Sequence, residues 1–105
     1  MKLSDFKLKP ATNVTQEQLE AWNVAVQDAT GGKPISDLHA STYRRVIVEG
    51  AVAAGWFEEL PKGFKQESLK GMKPGNLSEV ARLVDSFYME ISSPDEDFIS
   101  APPTP

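Results

Sequence analysis

From Leu77 to Ile91 apolar side chains return at steps of three and four. Leu77, Val80, Val84, Phe87 and Ile91 stack on one face of a helix, and Leu83 and Tyr88 widen the stripe. Glu79, Arg82, Asp85, Ser86 and Glu90 fall largely on the other side, as in a helix that buries one face on a small core and wets its back. Pro74 introduces this helix, either directly at its first turn or through Asn76 or Ser78 as the cap. The pattern names a helix without naming a chemistry.

Two further helices are legible upstream. Thr15-Gln16-Glu17-Gln18 matches a capping box, in which the Thr15 hydroxyl accepts from an early helical amide and Gln18 reaches back to the cap. Leu19, Trp22 and Val26 supply the inner face of the helix that follows, and Gly31-Gly32 with Pro34 stops it. A second helix begins at Ser36 or Ser41, placing Tyr43, Ile47, Gly50 and Ala54 on one face with Val46 alongside. Gly50 has no side chain and so permits close approach of a neighbouring helix, and Gly55 is a natural left-handed terminator.

The remaining segments are less regular. Residues 2–9 alternate weakly, with Phe6 and Leu8 facing one way before Pro10, which fits a short edge strand or an extended arm. Glu58 to Lys73 is rich in loop signals at Pro61, Gly63 and Gly71, with Phe64, Leu69 and Met72 as anchors and a short helical turn around Gln66–Leu69. After Ile91, an acidic, proline-rich tail offers little to bury except Phe98-Ile99, which predicts mobility. The expected architecture is therefore mainly α: one small helical bundle of about three helices near 15–29, 37–54 and 75–91, in a single domain over 1–91. Residues 1–14 form its arm or short strand, 92–105 its flexible tail, and Leu19, Trp22, Ile47, Val80, Val84 and Phe87 its shared core.

Composition narrows the function classes. A chain of 105 residues supports one modest core, with a total stability of about 5–15 kcal/mol. With no cysteine there is no disulfide, thiolate metal site or cysteine nucleophile. The first ten residues lack the apolar run of a secretory signal, and Val46–Phe57, broken by Glu49 and two glycines, is too short to span a membrane. A soluble, cytoplasmic protein without membrane contact is expected. Net charge is −4, and Asp95, Glu96 and Asp97 carry much of it in the tail. That balance argues against nucleic acid as a partner, which needs a concentrated positive face. Lys62, Lys65, Lys70 and Lys73 read as solvated loop lysines without an aromatic stacking platform.

No segment carries a catalytic signature. His39 stands alone with Asp37 two residues away, a spacing that suits a cap or surface histidine rather than a general base. Asp95, Glu96 and Asp97 lack the spaced ligands and glycine turn of a calcium loop. Gly31-Gly32-Lys33-Pro34 lacks the remaining positions of a phosphate loop and reads as a turn, and Asn13-Val14-Thr15 matches a glycosylation triplet only formally. Arg44-Arg45 reads as a solvated face, or as a pair for acidic neighbours or a partner. The expectation is a non-enzymatic protein with no cofactor and no metal.

Trp56 and Phe57 stand just beyond the Gly55 stop, with Tyr88 as a neighbour. Two readings are open: a lid packed over the end of the core, or an apolar edge that a partner covers. The order Tyr43-Arg44-Arg45, Ala53-Ala54-Gly55-Trp56-Phe57, Met72-Lys73-Pro74 and Val80 through Tyr88 resembles that of small tail-assembly proteins of tailed bacteriophages and prophages. The likeness covers residues 43–90: a helix ending in Ala-Gly-Trp, a loop, a proline, then a helix carrying Asp-x-x-Tyr. It implies a tail assembly chaperone that binds tape-measure or tail-tube components; the partner-binding residues expected from their position just beyond the Gly55 stop are Trp56 and Phe57, with Tyr88 as their neighbour. The competing class is a small regulatory adaptor or inhibitor with a single host or phage target.

Overall fold

In the computed structural model, residues 1–94 are described. The tail expected over 92–105 lies, from residue 95 onward, outside the described residues. Three helices, α1 (Gln16–Thr30), α2 (Ala40–Ala53) and α3 (Pro74–Ser92), account for most of the structure, and a two-stranded sheet joins β1 (Lys7–Leu8) to β2 (Phe57–Glu59). The protein is mainly helical, as its apolar periodicity predicts.

Helix ends follow local chemistry. The Thr15 hydroxyl accepts from the Gln18 amide at 3.3 Å while the Thr15 amide donates to Gln18 Oε1 at 3.1 Å, closing the capping box at the head of α1. At the other end, left-handed Gly31 turns the chain so that its amide reaches the Asp28 carbonyl and that of Gly32 reaches Gln27. Helix α3 starts directly at Pro74, whose missing N–H is one of the amides a first turn leaves unpaired. Helix α2 differs from the expected start at Ser36 or Ser41. A 3-10 turn at Ile35–Asp37 intervenes, and exposed His39 is the residue before the first turn, without a capping side chain.

Helix α2 is the centre of the molecule. Val46, Ile47 and Val48 are consecutive and each at most 1% exposed, so more than half of the helix circumference is covered. One-sided amphipathicity understates this burial: α1 and α3 both pack on α2, and the Gln66–Leu69 turn adds the fully buried Leu69 to the same core. Trp22, Ile47, Val80, Val84 and Phe87 are buried together as expected, whereas Leu19 is only partly buried at the edge. Arg45 and Glu49 form a 2.7 Å ion pair one turn apart on α2.

Gly50 sets the distance between α1 and α2. A Cβ there would lie 2.7 Å from Val26 Cγ2 and 3.2 Å from the Trp22 ring. Gly50→Ala is therefore expected to destabilise by about 1–3 kcal/mol through overpacking, against a gain in helix propensity of only about 0.5–1 kcal/mol. Chemical denaturation measures the net loss; a gain in stability would show that α1 is free to move away.

The N-terminal segment is part of the core. Phe6 is buried and meets Phe57 and Phe64 edge-to-face, with ring centroids 6.0 and 5.5 Å apart. Lys7 pairs with Glu59 and Leu8 with Phe57, an antiparallel register that leaves Glu58 as an extra residue on β2. Of the two readings of residues 2–9, the short strand is the one observed, flanked by 3-10 turns at Leu3–Asp5 and Ala11–Asn13.

Candidate functional site

Four aromatic rings connect the three helices. Trp56 stacks on Trp22 with centroids 5.4 Å apart and planes 10° from parallel. Phe87 lies against Trp56 at 5.6 Å, and Tyr88 tilts against Trp22 at 5.2 Å. Trp22 comes from α1, Phe87 and Tyr88 from α3, and Trp56 from the turn that ends α2.

Trp56 sits where it does because the backbone leaves it little choice. Left-handed Gly55 (φ 74°) reverses the chain, the Trp56 amide then donates to the Ala51 carbonyl at 3.0 Å, and the Gly55 amide donates to Val52. The Trp56 carbonyl accepts from the Lys9 amide at 2.9 Å, and its indole Nε1 donates to the Gln18 carbonyl at 3.2 Å. The other indole, Trp22, donates from Nε1 to the Ile47 carbonyl at 3.1 Å. Both rings thereby satisfy their polar atoms while buried.

This geometry decides between the two readings of Trp56 and Phe57 and removes both from an exposed edge. Trp56 is fully buried and Phe57 nearly so, because the chain after Gly55 turns inward to pair with β1. The lid reading is the correct one for both rings. Only Tyr88 of the three reaches solvent: 36% of its surface is exposed, at the outer end of the ring stack.

Beside it lies a contact with no local sequence signal. The Tyr43 hydroxyl on α2 donates to Asp85 Oδ1 on α3 at 3.0 Å. Asp85 and Tyr88 are three residues apart and so share a flank of α3, a relation the sequence shows. Tyr43, 42 residues away from Asp85, is joined to them only by the packing of α2 on α3. The edge thus comprises an exposed carboxylate, an exposed ring and a half-buried phenol.

Partial burial, followed by the hydrogen bond to Asp85, its negative charge and the proximity of Tyr88, raises the Tyr43 pKa above the ordinary 10.0. The folded protein therefore holds this proton more tightly than the unfolded chain. The resulting stability is fully present below pH about 10 and declines as pH rises through the elevated folded value. Tyr43→Phe should flatten that part of the alkaline stability profile, as measured by denaturation midpoints between pH 9 and 11. An unchanged slope would show that Tyr43 is not linked to folding.

A concavity of about 250 Å³ lies away from this edge, at the N-terminal end of α3, where Met1, Leu3, Phe6, Met72 and Val80 form its apolar lining. Lys62, Lys65, Lys70 and Lys73 are all exposed. Among the described residues, no cluster of three His, Cys, Asp or Glu side chains is placed to hold a metal, and no helix is long and apolar enough to cross a membrane. The expected acidic tail residues Asp95, Glu96 and Asp97 lie outside the described residues. Comparison with known proteins finds no family model, curated protein or solved structure that matches this chain.

Proposed function

We propose that this chain is a protein-interaction domain that acts as a phage tail assembly chaperone, holding tape-measure or tail-tube components before they polymerise, with the Tyr88 edge as its contact surface. The observation that carries the choice of surface is the half-free ring of Tyr88, backed on its inner side by Trp22. A ring held by a packed neighbour loses little conformational freedom on binding, and aromatic side chains are frequent binding hot spots. The chaperone class rests on the resemblance of residues 43–90. Among the residues that carry it are Gly55, which ends α2, Pro74, which opens α3, Asp85, which meets Tyr43 of α2, and Tyr88, which lies against Trp22 of α1.

Tyr88→Ala should weaken capture of tail-tube or tape-measure proteins by roughly 30-fold, the equivalent of a hot spot of about 2 kcal/mol. Lys62→Ala, on an exposed loop, should leave capture unchanged. Both are compared with the parent at a temperature where circular dichroism shows all three folded. Unaltered capture by Tyr88→Ala removes this edge from the interface. Failure of the parent to bind any tail component, with stable binding to one regulatory target, replaces the chaperone reading with the adaptor.

A further inference from the structure

We infer that the Tyr43–Asp85–Tyr88 edge receives an arginine side chain from the protein partner, an inference that rests on the reading of this edge as a contact surface. The Asp85 carboxylate is exposed, and the Tyr43 hydroxyl bound to Oδ1 fixes its position. Among the described residues no Lys or Arg nitrogen lies within 4 Å of Asp85, and the sequence beyond residue 94 contains neither residue type. Arg82, one turn before it, lies 3.9 Å from Glu79 instead, and the carboxylate shares a flank of α3 with an exposed aromatic ring.

Those two groups together select a guanidinium. Its plane lies over the Tyr88 ring while its N–H groups donate to the free oxygen of Asp85, a combination that an ammonium meets less well. The exposed Asp85 carboxylate itself favours approach of a basic side chain over an acidic one. Tyr43 contributes by positioning: its hydrogen bond holds the carboxylate against α2 and away from free rotation.

The test is an NMR titration of the full chain, at low salt, with three blocked tripeptides that differ only at a central arginine, lysine or glutamine. Arginine is expected to shift signals of Tyr43, Asp85 and Tyr88 saturably, with Kd on the order of millimolar. Lysine should bind several-fold more weakly, glutamine not detectably, and Asp85→Asn, which keeps an acceptor for Tyr43, should abolish the arginine response. Equal shifts with glutamine, no arginine-dependent shift, or an unaltered response in Asp85→Asn would overturn the inference. Tail-protein capture separates the two readings: loss in Tyr88→Ala with full retention in Asp85→Asn overturns the arginine site and leaves the contact surface standing. Retention in both variants overturns both.

Discussion

Trp56→Ala is expected to destabilise the fold by about 3–5 kcal/mol, a large share of the roughly 5–15 kcal/mol available to a domain of this size. The corresponding fall in Tm is about 12–40 °C. The ring is 0% exposed and stacks on Trp22 on one side and Phe87 on another, so its removal leaves a cavity at the junction of all three helices. Trp56→Phe separates packing from hydrogen bonding. It retains an aromatic ring and loses the indole bond to Gln18, whose net worth is about 0.5–1.5 kcal/mol. The phenylalanine variant should therefore lie between parent and alanine. A Trp56→Ala protein that melts with the parent would mean that the ring is not in the core.

Phe87→Ala should cost a comparable amount, about 3–5 kcal/mol, because this ring is 5% exposed and closes the opposite end of the same stack. The two substitutions touch one shared space. In a double-mutant cycle their effects should depart from additivity by about 0.5–3 kcal/mol. Strict additivity in urea denaturation would indicate that the rings are energetically independent and that the 5.6 Å contact between them carries no coupling. Small losses from both single substitutions would mean that the ring stack is not part of the core.

Three features of the fold were legible in local sequence because their causes are local. The Thr15/Gln18 box, the left-handed glycines 31 and 55, and Pro74 each act through hydrogen bonds or backbone preferences within a turn of their own position. The 3.6-residue period of α3 likewise states which side must be covered, and Val80, Val84 and Phe87 are covered. The start of α2 was not legible to the residue, since neither Ser36 nor Ser41 caps it and the Ile35–Asp37 turn supplies no periodic signal.

The candidate site divides in the same way. Sequence placed Trp56, Phe57 and Tyr88 near one another and left open which of them faced water. Exposure is a property of what lies opposite a side chain, and the strand pairing that turns Trp56 and Phe57 inward joins residues some fifty positions apart. The Tyr43–Asp85 bond has the same character, as does the burial of Val48; at Gly50 the close approach of a helix was legible, but its partners Trp22 and Val26 were not. By itself, then, the sequence determined the helices, their stops and the apolar faces, because short-range sterics and hydrogen bonding decide these. Only the tertiary structure made α2 the central helix, drew Phe6 of the N-terminal segment into the core and left Tyr88 as the exposed ring of the stack, because contacts between distant segments decide which surfaces lose water.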